Sequence, residues 1–383
     1  MTGSMYAAIA GLRTHMQNLN VIGHNVANVN TQGYKSSRSI FQTAIYSTLS
    51  GGSDGTPVVG GKNPSQIGYG ANMASVDIDM STGNYGVTGK PTDLYLDGDG
   101  FFMVGDKTLA ANFDGTYEDV NRLTAMTLTR VGNFEFKADG YLSTNDGNVV
   151  YGFLCTGLAS EADVAAAGPD SGMKVGDPIF SDQLVPIRGP RVAVDENGAV
   201  SIAYPGIDET TGHLTDATGE NGEELSLATF TSITFDENTG LITGISDDTK
   251  ETVTIGCIAI GRVTNPNGVT AMGNSYYKAG AGSGDLMINV LGGNAQQMGI
   301  HYVNGSLVND GNNLDAGGDG LVDGLRIRTG GEAKLKASGL EQSKADLAQE
   351  IANMIVTQRG YQANTRIITV TDSMLEELVN MKR

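Results

Sequence analysis

Both ends of the chain carry the same helical signature, and this limits the possible folds more than any other feature. From Met5 the apolar residues run Met5, Ile9, Leu12, Met16, Leu19, Ile22 and Val26, in steps of 4, 3, 4, 3, 3 and 4. That is close to the seven-residue repeat of a helix with one adhesive stripe. At the other end Leu347, Ile351, Met354, Gln358, Tyr361, Thr365, Ile368, Asp372, Leu375 and Val379 alternate steps of 4 and 3 without a break. A helix of that length spans roughly 50 Å at about 1.5 Å per residue. Neither helix can bury its stripe alone. The spacing therefore predicts that the first helix pairs with the last as a coiled coil; the alternative is that each packs on a domain of its own. Gln358, Thr365 and Asp372 recur every seventh residue on the C-terminal stripe. Polar groups at such positions set register and weaken a two-stranded coil. A pair of this kind is predicted to be loose in an isolated chain and to need helices of other subunits around it.

Between the helices the pattern changes to short alternating runs broken by turn dipeptides. The fold class is therefore multidomain and mainly β, with discontinuous β-domains nested between the terminal helices. A chain of 383 residues is too long for one core, and 54 glycines with no tryptophan suit thin, turn-rich β-domains. Leu94–Val104 reads as strand, Asp-Gly turn, strand. Phe134–Phe153 holds two more such turns, at Asp139-Gly140 and Asp146-Gly147. Val192–Ile202 and Ile233–Thr243 echo each other as strand, Asp-Glu-Asn turn, strand. The expected organisation is a helical domain of 1–30 with 341–383, a connecting segment of 31–75, an inner β-domain of 76–153 with 261–340, and an outer inserted β-domain of 154–260. The Gly- and Asn-rich stretch 285–335 supports no assignment.

Several kinds of chemistry are excluded. The net charge of -19 argues against nucleic acid, whose binding needs clustered Lys and Arg. His15, His24, His213 and His301 lie in no metal-ligand spacing, and Asp97, Asp99 and Gly100 lack the other ligands of a calcium loop. There is no nucleophile elbow, P-loop or dinucleotide fingerprint. No catalytic, cofactor-binding or metal residue is assigned, and the chain is not expected to be an enzyme. Cys155 and Cys257 lie 102 residues apart outside any paired motif and read as buried apolar side chains, with a crosslink as the alternative. No apolar run is long enough for membrane insertion, and the first residues lack the pattern of a cleaved signal peptide. The expectation is a protein that is cytoplasmic or exported without such a signal.

The first helix runs into Ile22–Arg38, IGHNVANVNTQGYKSSR, which holds Asn25, Asn28 and Asn30 within six residues. Asparagine tolerates the left-handed backbone and bonds groups that a helix end leaves free, so these residues are expected to serve the backbone. The whole string, with Asn25, Ala27, Asn28, Asn30, Thr31, Gly33, Tyr34 and Lys35, closely resembles the N-terminal signature of bacterial flagellar rod and hook proteins. Gln358-Arg359-Gly360-Tyr361-Gln362-Ala363-Asn364 resembles their C-terminal signature. Pro91–Val104 and Leu128–Phe153 resemble their inner β-region.

The resemblance implies a structural subunit of the flagellar hook, the curved tube that joins rod to filament and transmits torque as a universal joint. It implies a homopolymer located in the flagellum and delivered by the flagellar type III export apparatus, with rod, hook cap and hook–filament junction proteins as further partners. Met5, Ile9, Leu12, Met16, Leu19, Asn25, Asn28, Asn30, Gly33, Tyr34, Ile351, Met354, Gln358, Tyr361, Asn364, Ile368 and Leu375 are the expected assembly residues. The nearest alternative is a distal rod subunit, straight and rigid. An alternative of another class, a secreted β-rich adhesin, would not require heptads at both ends.

Overall fold

The computed structural model describes residues 2–55, 57, 60–108, 125–161, 174–181, 184–194, 200–207, 214–215, 225–237, 240–284, 286–290, 300–303, 306–309, 312–313, 327–329 and 333–381. They fall into two compact units. One is Met1–Met80 with Ser343–Arg383, and the other is Ser81–Gln342.

The first unit holds both terminal helices, α1 (Thr2–Ala27) and α2 (Leu347–Met381), packed against each other. It also holds the segment read as a connector, which forms four strands: β1 (Ser37–Thr43), β2 (Tyr46–Ser50), β3 (Ser65–Gly68) and β4 (Ala71–Ile78). β1 pairs antiparallel with β4, from Ser37 opposite Ile78 to Thr43 opposite Ala71, with an irregularity at Ile40/Phe41. β2 pairs antiparallel with β3 and continues the ribbon. α1 rests on the β1–β4 end, where the Thr14 hydroxyl donates to the Ala71 carbonyl (2.9 Å).

The second unit is mainly β. Its centre is a pair of long antiparallel strands, Val149–Leu158 and Thr252–Val263, aligned with Phe153 opposite Cys257. Both are nearly continuous buried runs, as befits strands covered on both faces. Phe101–Gly105, Leu241–Ser246 and Leu286–Val290 extend the sheet from them. The core gathers Leu96, Phe102, Phe134, Val150, Ile258 and Leu335, with Phe102 and Phe134 edge to face at 5.1 Å between centroids.

The boundaries expected at 153/154 and 260/261 fall inside these two long strands. The hairpins at Asp139-Gly140 and Asp146-Gly147 form as expected, as does the pairing of Phe230–Phe235 with Leu241–Ser246. Arg191–Val194 pairs with Val200–Ala203, while the turn between them lies outside the described residues. The Leu94–Val104 segment differs. Its strands Asp93–Asp97 and Phe101–Gly105 do not pair with each other but enter different sheets. Asp93–Asp97 is instead paired with Lys334–Ala337 and with Gly132–Asn133, and the Arg130 guanidinium donates to the carbonyls of Leu96 and Gly98 (3.1 and 2.8 Å) at that strand's end. Cys155 and Cys257 are buried, unbridged thiols.

Candidate functional site

The helix pair is antiparallel, and its contacts repeat every seven residues. A Cβ on Gly11 would lie 2.6 Å from Asn364 Nδ2, and one on Gly360 would lie 2.7 Å from the His15 ring, so the backbones approach closely where each helix has no side chain. Seven residues farther along α1, Asn18 Nδ2 donates to the Thr357 hydroxyl (2.9 Å). Seven more bring Asn25, whose Nδ2 donates to Glu350 Oε1 (2.8 Å). The row on α2 that faces α1 thus runs Glu350, Thr357, Asn364, with Thr371 buried one heptad beyond. Met354, Tyr361, Ile368 and Leu375 flank it and are half-buried.

This corrects the predicted seam by one residue. Gln358, Thr365 and Asp372 are exposed, as is Ile351. The heptad pattern fits either row. An apolar seam favours the row with Ile351, but α1 offers a face of small and amide residues, Ala8, Gly11, Asn18 and Asn25, that suits the other. Of the α1 stripe, Ile22 is buried, Met5, Ile9, Leu12 and Leu19 are half-buried, and Met16 is exposed. Ala8, Thr14, Ile22 and Asn25 are the most buried positions, because α1 is covered by α2 on one flank and by the ribbon on another.

The asparagine cluster resolves residue by residue. Asn25, 1 % exposed, uses its whole amide. Nδ2 donates to the Ser37 carbonyl (2.8 Å) and to Glu350, while Oδ1 accepts from the Tyr34 hydroxyl (2.8 Å) and the Ser37 N–H (2.9 Å). It joins α1, the turn, β1 and α2. Asn28 closes the end of α1, donating to the His24 carbonyl (2.9 Å) and accepting from Thr31 Oγ1 (3.1 Å). Asn30 is exposed. None of the three takes the left-handed backbone; that role falls to Gly33, buried at φ 64°. The Tyr34 hydroxyl is pushed up to about 12, by burial first and by the nearby Glu350 carboxylate second.

Sequence reasoning missed Thr14, Asn18, Glu350 and Thr357. The signal is present in the seven-residue spacing of Gly11, Asn18 and Asn25 against Glu350, Thr357 and Asn364, but it is a polar periodicity. The arrangement positions and joins helices. Its amides, hydroxyls and the Glu350 carboxylate bond one another.

The terminal helices thus pair across a polar seam, with β-rich sequence inserted between them. The family model described as "Flagella basal body rod protein" matches residues 5–35, and that described as "Flagellar basal body rod FlgEFG protein C-terminal" matches residues 337–381. The chain is 28 % identical over 385 positions to the flagellar basal-body rod protein FlgG of Bacillus subtilis, covering the whole of both chains. It is also 28 % identical over 464 positions to the flagellar hook protein FlgE of Borreliella burgdorferi, again covering both completely. The crystal structure of the Helicobacter pylori flagellar hook protein FlgE2 is a distant match, 11 % identical with a TM-score of 0.31, covering 67 % of this chain and all of that one. The chain belongs to the flagellar rod and hook family. It is a structural component of the bacterial flagellum, in a family that is not one of enzymes. Among the described residues no helix is long and apolar enough to cross a membrane.

Proposed function

We propose that the chain is the hook subunit, polymerising into a curved tube that transmits torque from rod to filament. The observation that carries this reading is the excursion between the two long paired strands. Arg191–Val194, Val200–Ala203 and Ser226–Leu227 form a small sheet of their own, and the Ala228 N–H donates to the Pro190 carbonyl (3.1 Å) at its base. A straight driveshaft needs its helices and an inner layer. A joint that bends while turning also needs contacts at larger radius that slide, and thin polar hairpins suit contacts of modest strength. A subunit that meets copies of itself head to tail without closing builds an open helical tube. The α1–α2 pair would line that tube, with Met5, Ile9, Leu12, Met16 and Leu19 on α1 and Ile351, Met354, Gln358, Tyr361, Ile368 and Leu375 on α2 offered to neighbouring copies. Rod, hook cap and hook–filament junction proteins would meet the polymer ends, and the flagellar type III export apparatus would deliver the subunit.

The end-to-end similarity to a protein named as a rod component supports a second reading, the distal rod. Electron microscopy of the full chain under polymerising conditions separates the two. Curved tubes support the hook, and uniformly straight rigid tubes support the rod.

A further inference from the structure

Along the helix pair, the facing partners recur in kind every seven residues. A displacement of one heptad, about 10 Å at 1.5 Å per residue, would set Asn18 opposite Asn364 and Asn25 opposite Thr357. The opposite displacement would set Gly11 opposite Thr357 and Asn18 opposite Glu350. Each of these juxtapositions again places small or hydrogen-bonding groups together, so the seam between Gly11 and Asn18 discriminates weakly among registers. Three features distinguish Asn25. It is almost fully buried, its Oδ1 is held by both Tyr34 and Ser37, and its Nδ2 meets Glu350, the one charged residue in the row Glu350, Thr357, Asn364, Thr371. Tyr34 is itself tied to the segment entering α2, since the Lys344 N–H donates to the Tyr34 carbonyl (3.0 Å).

We propose that Asn25, oriented by Tyr34 and Ser37 and bonded to Glu350, is the register lock of the terminal helix pair. A buried amide with no freedom to turn accepts its partner at one place only. A charge displaced from that amide would lose a bond held in an almost fully buried site and, in one direction of slip, would meet only the half-buried amide of Asn18 in its place. Asn25 acts here as a positioning residue, and the inference holds for a hook or a rod subunit alike.

The test reads register by disulfide capture in the full chain, as monomer and as sedimented polymer, in a glutathione redox buffer. Gly11→Cys with Asn364→Cys reports the observed register. Gly11→Cys with Thr357→Cys, and Gly11→Cys with Thr371→Cys, report slips of one heptad in either direction. With Asn25 intact, the observed-register pair should dominate. Asn25→Leu should raise the slipped products relative to it by about tenfold or more, the effect of losing a hydrogen bond to a charged group. Asn25→Asp should do the same, because a carboxylate can donate neither to Glu350 nor to the Ser37 carbonyl, whereas Glu350→Gln, which keeps a neutral acceptor for Asn25 Nδ2, should raise the slipped products less. Slipped products that stay at background in Asn25→Leu while the observed-register pair persists would overturn the proposal. So would loss of all three crosslinks in Asn25→Leu and in Glu350→Gln alike, which would make the Asn25–Glu350 contact a requirement for folding and not for register.

Discussion

Replacing Glu341 by glutamine should destabilise the β-unit by about 3 kcal/mol. Glu341 and Arg130 are 1 % and 2 % exposed and lie 3.8 Å apart. Burial pushes the Arg130 guanidinium below its ordinary value, and Glu341 is the foremost group pulling it back up. At that separation, with an effective dielectric near 20, the attraction is about 4 kcal/mol. Removing one partner of a buried pair typically costs about 3–5 kcal/mol because the other charge stays buried. The Leu96 and Gly98 carbonyls still accept from Arg130, and glutamine Oε1 can still accept from the Gly83 N–H as Glu341 does, which places the expected loss at the lower end. The assay is urea unfolding of the full chain, following the loss of β-structure by circular dichroism. A companion pair, Arg130→Met with Glu341→Leu, removes both charges and should recover much of the loss, since buried pairs can be replaced by apolar groups at little net cost. A Glu341→Gln variant within about 1 kcal/mol of the parent would refute the reasoning, showing that the carbonyls alone satisfy the guanidinium.

Thr357→Val should lower the thermal stability of the polymer through loss of the bond from Asn18, about 1 kcal/mol per subunit, whereas Gln358→Ala should change it by less than about 0.5 kcal/mol; the reverse order would restore the seam predicted from periodicity. Tyr34 should give the helix pair an alkaline sensitivity. Its folded pKa of about 12 stands above the unfolded value near 10, so its contribution is complete below pH 10 and is lost as pH rises toward 12. Tyr34→Phe should therefore be less stable at neutral pH, lacking the bond to Asn25, and should lose less on going from about pH 9 to 12, as followed by helical circular dichroism across a pH series. Replacing residues 191–227 by a short Gly/Ser linker, at the base closed by Pro190 and Ala228, should leave tube formation intact and straighten the tubes seen in negative-stain images.

What could be read from the sequence followed from how each element is stabilised. The terminal helices show in the sequence because a heptad repeat survives over 35 residues of α2, and the hairpins show because Gly140 and Gly147 occupy positive φ, where few residues are comfortable. The face of α2 was not legible. Rows 351/358/365 and 350/357/364 differ by one residue, and the choice depends on α1, whose Gly11 and Asn18 favour close backbones and amide pairing over apolar packing. The connector was illegible for a related reason. Residues 37–50 and 65–78 alternate poorly, because the ribbon is largely exposed and so leaves no buried face to impose a pattern. Arg130 and Glu341, 211 positions apart in the chain, carry no local sign of their pairing.

The polar seam bears on why the helices stand at the two ends of the chain. A contact made of Gly11 against Asn364, Asn18 against Thr357 and Asn25 against Glu350 selects one register, yet it buries little apolar surface and so contributes modest strength. Further apolar residues lie off that row. Ile355, Val356, Ile367, Val370 and Met374 of α2 are all substantially exposed. In a family whose members assemble, this division has a physical logic. The intramolecular seam fixes how α1 and α2 align, and in the proposed polymer the exposed apolar rows would be buried by the helices of further copies. Burial at about 25 cal/mol per Å² would then favour the assembled state over the free subunit, while the register chosen within each subunit would keep those rows in the same place on every copy.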